Sequence, residues 1–325
     1  MENKIDLEEL RRLSIETKFS PILLEKDFHL TRILHKIAEK QIKDIVFKGG
    51  TCLNKCYLGF YRLSEDLDFV YNQDVKDLTK LKIKKILDSL RRELFEVLNE
   101  LEFRTSKELG KGWKMLTSKE DPKIVGLEII ANYNSIIDDS VQMIKLETSF
   151  RKKLRNSTKM KIIKHEFVNA LGESILRKDV EIEVIDLTEN FAEKFRALVT
   201  RKNIAIRDIY DIYFILKNNI VKIDKEIIDL ILIKLNESAG KKFTKDDFLD
   251  FIRNLDSKTL YLNEKEISAL LKSGDKVNVK EMIQTIIKEF RDEKEKGEDI
   301  SKGLELLRKG KNLGGIINKN REDWH

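Results

Sequence analysis

The chain has 325 residues, 41% hydrophobic and 37% charged, enough apolar content for one large core or two ordinary ones. Its formal charge of +6, from 63 basic and 57 acidic residues, is too small to assign a partner, and no apolar run approaches the ~20 residues of a membrane helix. The opening Met1-Glu2-Asn3-Lys4-Ile5-Asp6 lacks the apolar core of a signal peptide, so a cytoplasmic protein with no membrane partner is expected.

Ser20-Pro21 reads as a helix start, with serine as N-cap and proline in the first helical position, and apolar residues keep helical spacing to Lys40. Glu25-Lys26-Asp27-Phe28 lies on this helix. Ile45-Val46-Phe47 predicts a short buried strand, and Gly49-Gly50 a tight turn into a helix starting near Thr51. Cys52 and Cys56 follow one turn apart, with nothing to chelate or pair with, and read as reduced packing residues. Asp66-Leu67-Asp68-Phe69-Val70 alternates as a strand with Leu67 and Phe69 facing the core and both aspartates on the other face.

Asp77 to Leu101 has a long helical period, followed by strands at Phe103, Trp113 to Leu116, Val125 to Ala131 and Met143 to Glu147. From Arg151 to Lys164 there are seven basic residues and no acidic one, a run that serves either as a solvated loop or as a grip on a phosphate backbone. Val180 to Ile185 alternates as a last strand. Helices are then expected at Thr188 to Val199, Ala205 to Leu216, Lys225 to Leu235, Lys245 to Leu255, Glu264 to Leu271 and Lys280 to Lys294. The expected division is an α/β unit over 1–186, a helical unit over 187–295 and a basic, weakly structured tail over 296–325.

Two carboxylates on one face of a strand repel unless a cation lies between them, and magnesium favours one or two carboxylates together with substrate phosphates. A helix N-terminus after a glycine turn favours phosphate. The four histidines are scattered without zinc spacing, no Ser-His-Asp arrangement is visible, and the G-x-x-x-x-G-K-[ST] phosphate loop is absent. The combination of acid pair and glycine turn can hold a nucleoside triphosphate and its magnesium.

Lys48-Gly49-Gly50-Thr51, followed by Arg62-x-Ser64-Glu65-Asp66-x-Asp68, resembles the AbiEii/AbiGii toxin family, a branch of the DNA polymerase β-like nucleotidyltransferases. Glu193-Lys194-Phe195-x-Ala197-Leu198-x-x-Arg201, leading into Arg207-Asp208-x-x-Asp211, fits the same resemblance. It implies an α+β fold, a mixed sheet flanked by helices and followed by a helical C-terminal domain. It also implies NTP as substrate and a two-ion magnesium site on Asp66 and Asp68, completed by a third acid on a neighbouring strand. Glu147 is the choice for that acid, with Glu128 and Glu183 as competitors. Lys194 and Asp208 carry over as catalytic residues, the lysine neutralising triphosphate charge. Lys48, Gly49, Gly50, Thr51, Ser64 and Arg201 would bind the nucleotide, and Glu25-Lys26-Asp27 would stand near its pocket.

The implied reaction is in-line attack of an acceptor hydroxyl on the α-phosphate, with two ions about 4 Å apart. Related toxins suggest an RNA acceptor, the tRNA 3′ end, in a type IV-like toxin–antitoxin or abortive phage-infection system with a cognate antitoxin. The alternatives are a protein or small-molecule hydroxyl as acceptor, or a nucleotide-binding regulator without transfer activity.

Overall fold

Alternating apolar residues on seven short strands build one mixed sheet, seen in a computed structural model that describes residues 4–75, 77–117, 124–150, 153–238 and 242–290. The strands are β1 (Ile45–Lys48), β2 (Asp66–Tyr71), β3 (Trp113–Thr117), β4 (Ile124–Asn134), β5 (Val141–Ser149), β6 (Lys159–Ile162) and β7 (Glu181–Val184). Their order across the sheet is β3-β4-β5-β2-β1-β7-β6. β2 runs parallel to β5 and antiparallel to β1, while β1 runs parallel to β7.

The helices that cover the sheet begin with α1 (Leu7–Thr17), α2 (Pro21–Glu39) and α3 (Gly49–Cys52), which widens into a π-helical stretch over Leu53–Leu58. α4 (Lys80–Glu100) packs with α2 on one face, where Leu67, Phe69, Ile144 and Leu146 are fully buried. The expected start of α4 at Asp77 moves to Lys80 because the Thr79 side chain accepts from the Lys82 N–H and caps the helix there.

α5 (Leu187–Thr200), α6 (Ile206–Lys217), α7 (Lys225–Ser238), α8 (Lys245–Arg253), α9 (Leu255–Lys258), α10 (Glu264–Ser268) and α11 (279–290) form a second apolar cluster. Its centre is aromatic: Phe195 meets Phe191, Phe248 and Phe290 edge to face at centroid distances of 5.1, 5.8 and 5.3 Å. Leu53 and Tyr61, from the segment after the glycine turn, join this cluster, so the segment is shared between sheet and helices. A third cluster, around Leu10, Phe19, Phe28 and Phe167, anchors α1 to the start of α2.

The structure adds α1 and the edge strand β6 to the elements read from sequence, and Phe103 lies just before an isolated bridge at Arg104 rather than in a strand. The expected tail over 296–325 lies outside the described residues. No described helix is long and apolar enough to cross a membrane.

Candidate active site

Strand register brings the predicted acids together. Asp68 on β2 stands opposite Glu147 on β5 and Lys48 on β1, and Asp66 stands opposite Lys145, so all five share one sheet face in two adjacent rows. That face is the floor of a cleft roofed by α5 and the start of α6, enclosing ≈ 1180 Å³ out to its open mouth. Lys48, Gly49, Asp66, Asp68, Glu147 and, from the helices, Lys194, Arg201 and Asp208 all line it.

Glu128 stands opposite Glu147 but is paired with Lys114 at 2.8 Å, and Glu183 accepts the Thr158 hydroxyl near the far edge of the sheet. Of the three candidates, Glu147 alone lines the cleft.

Several predicted residues are held behind the cleft wall. The buried Thr51 hydroxyl donates to the Asp66 carbonyl at 2.5 Å, so it fixes β2 against the glycine turn and is not free for phosphate. Gly50 and Ser64 are also buried, and a Cβ on Gly50 would lie 2.5 Å from Arg62 Nη2, so that glycine admits a guanidinium rather than a ligand. Gly49 has φ +81°, and a Cβ there would lie 2.4 Å from Asp68 Oδ2, so a side chain would push the acid aside. Its N–H donates to Asn190 Oδ1 at 3.2 Å and its carbonyl accepts from Asn190 Nδ2 at 3.2 Å.

The expected nucleotide contact at Glu25-Lys26-Asp27 is also corrected. Buried Glu25 accepts from the Ser135 hydroxyl and the Ile136 N–H, Lys26 pairs with Glu65 at 3.2 Å, and Asp27 pairs with fully buried Lys55 at 2.8 Å. These are three separate packing anchors. The basic run is partly committed as well: Arg155 pairs with Glu237, Lys159 with Asp186, and Lys161 lies over the Tyr57 ring, while Arg151 and Lys152 lie outside the described residues.

On the roof, Lys194 Nζ is 3.0 Å from Asp208 Oδ1 and 2.7 Å from Asp211 Oδ2, and Arg201 holds the other Asp208 oxygen. Asp211, fully buried, also takes both guanidinium arms of buried Arg62 at 2.6 and 2.7 Å and the Tyr61 hydroxyl at 2.6 Å. Burial pushes the Lys194 ammonium down, but Asp211 and Asp208 outweigh it and hold it above its ordinary value. This network joins α5 and α6 to the loop before β2.

Around the acids, Lys145 Nζ lies 3.9 Å from Asp66 Oδ2 and 3.8 Å from Glu147 Oε2, and Arg207 lies 3.7 Å from Asp66. Burial raises the Asp66 carboxyl; Lys145 and Arg207 pull it down and Asp68 pushes it up, and the net shift is upward. Among the described residues no group of three or more His, Cys, Asp or Glu is drawn together closely enough to hold a metal ion. The donor types nevertheless suit a hard divalent cation: three carboxylates share one sheet face and line one cleft.

Lys145 and Asn190 were not singled out from sequence, and Arg207 was quoted there only as part of the motif with Asp208 and Asp211. Lys145 was accessible there, since it lies two residues before Glu147 and so on the same strand face. Asn190 precedes Lys194 by one helical turn, which is the signal that would have found it.

A family model described as the nucleotidyl transferase AbiEii toxin of type IV toxin–antitoxin systems matches residues 32–297. Among solved structures, the nucleotidyltransferase toxin MenT4 from Mycobacterium tuberculosis is 16% identical with a TM-score of 0.57, over 88% of this chain and 89% of that one. A putative nucleotidyltransferase from H. pylori is 18% identical with a TM-score of 0.49, over 87% of this chain and 99% of that one. At these identities the likeness to MenT4 is one of fold. No curated protein sequence matches.

Proposed function

The chain belongs to the AbiEii family of nucleotidyltransferase toxins of type IV toxin–antitoxin systems, and from that premise we propose that its cleft transfers a nucleoside monophosphate from an NTP to the 3′ end of an RNA, tRNA foremost. The observation that carries this reading is the register of β2 and β5, which sets Asp68 beside Glu147 with Asp66 one row away. Asp66 and Asp68 would hold two magnesium ions, Glu147 sharing the one nearer the acceptor. Bound there, the ions supply charge neutralisation for the nucleotide's phosphates and a lowered pKa for the acceptor hydroxyl.

Charge balance supports a cation requirement. Six basic and five acidic side chains line the cleft, so the protein alone offers little surplus positive charge to a triphosphate. Lys48 has no carboxylate within 4 Å among the described residues, whereas Lys194 is held by two aspartates. Lys48 is thus the cleft lysine freest to meet phosphate, and Asp208 orients Lys194 and Arg201 along the roof.

We further propose the two-unit division near residue 186, action in the cytoplasm where NTPs and tRNA are found, and a role in phage defence restrained by a cognate antitoxin. The direct test is pyrophosphate release from each NTP with total RNA as acceptor. Release should require magnesium, stop with EDTA, and be absent in Asp68→Asn. Release that persists in EDTA would remove the metal from the scheme, and release by Asp68→Asn would remove the acid pair.

A further inference from the structure

The row of the sheet beyond the acids is built differently. Two residues past Asp68 and Glu147, about 7 Å along the strands, Val70 on β2 stands opposite Ser149 on β5, Ser149 opposite Gly126 on β4, and Gly126 opposite Leu116 on β3. The Leu116 side chain leans over Gly126, its Cδ1 3.2 Å from where a Cβ would stand, so the small Ser149 is what leaves room on the floor between Val70 and Leu116. Leu154 and Ile185 wall it, and α5 and α7 cover it, enclosing ≈ 670 Å³ out to its mouth. Lys48 and Glu147 line both this slot and the cleft, so the two spaces adjoin.

Beyond Lys48 and Glu147 at its junction with the cleft, the charged groups of the slot pair with one another. Lys234, 3% exposed, contacts Glu189 and lies 3.4 Å from Glu193 and 3.9 Å from Glu237. Arg196 pairs with Glu193 at 2.7 Å, and Glu237 also holds Arg155. A phosphate passing beyond Lys48 would find aliphatic walls and compensated cations, whereas a flat, uncharged ring would bury its faces without stranding a charge.

We infer that this slot seats the nucleobase of the bound NTP, while the phosphates stay over Lys48 and the acids. The inference rests on the reading of the cleft as a nucleotidyltransferase site and adds where the donor's specificity is set. Ser149 and Leu116 become the positions that determine how large a base fits.

The test compares binding of an NTP and of inorganic tripolyphosphate to the full chain in magnesium by calorimetry. Ser149→Leu and Leu116→Trp fill the slot from half-buried positions on the open sheet face. Each should weaken NTP binding about ten-fold or more and leave tripolyphosphate within about two-fold. On the unmodified chain, the base emission of bound 2-aminopurine riboside triphosphate should be shielded from acrylamide. Equal NTP affinity in both variants, or a base as open to acrylamide as in free solution, overturns the slot while leaving the cleft reading intact. Failure of both NTP and tripolyphosphate to bind the unmodified chain overturns the cleft reading and the slot together.

Discussion

Burial makes a charge on Asp66 costly. Its carboxyl is raised by burial and by Asp68 more than Lys145 and Arg207 lower it, so the folded chain holds a proton there more tightly than the unfolded chain does. Such a group favours folding at low pH and opposes it as pH rises past its folded value. Asp66→Asn keeps the shape and removes the charge. Transfer should fall about 100-fold or more, since metal-borne charge stabilisation is worth several kcal/mol, while the melting temperature should equal or exceed that of the unmodified chain. A lower melting temperature would contradict the account. The alternation that exposes this pair is plain in Asp66-Leu67-Asp68-Phe69, and the same alternation carries Lys145 with Glu147. The fate of Thr51 was not legible, because nothing in a hydroxyl's position along the chain says whether its proton goes to a ligand or to the Asp66 carbonyl.

Between elements, Asp211 is the lock. It lies on α6, takes the Arg62 guanidinium from the loop before β2, and shares Lys194 with Asp208, so one carboxylate ties the helical roof to the segment carrying the acids. Asp211→Asn leaves Arg62 buried without its paired carboxylate, and breaking such a pair costs about 3–5 kcal/mol. The urea midpoint should fall accordingly, read by circular dichroism; a change within about 0.5 kcal/mol, as for an ordinary surface substitution, would contradict the role. The helices of the roof were legible from their period, since α5 and α6 each bury one apolar stripe. β6 was not, because its Lys159-Met160-Lys161-Ile162 sits on the sheet edge with mostly exposed side chains and reads as part of a basic loop. The π-helical stretch after Cys52 has no periodic signature that distinguishes it from an ordinary helix.

Over the whole molecule, buried titratable groups set the acid limit of stability. Burial pushes His29 down to about 3 and His35 down to about 4. Both are neutral in the folded chain, while in the unfolded chain they take up protons as pH falls through about 6.5. Stability should therefore decline from about pH 6.5 downward. Asp211 then adds a further loss: burial pushes it up, but Arg62 and Lys194 hold it well below the carboxylate range, and that gain vanishes as pH falls toward its folded value. A melting temperature that stays flat from about pH 7 to about pH 5 would contradict the burial of these histidines. The central claim concerns the cleft that the sheet and the helical roof make together. Its most direct test is incubation of the full chain with cell extract and each α-labelled NTP in turn, followed by separation into RNA, protein and small-molecule fractions. The account predicts label in RNA of tRNA size, for one or more of the NTPs, and none with Asp66→Asn. Label confined to protein or small molecules, or label in RNA that survives Asp66→Asn, would contradict it.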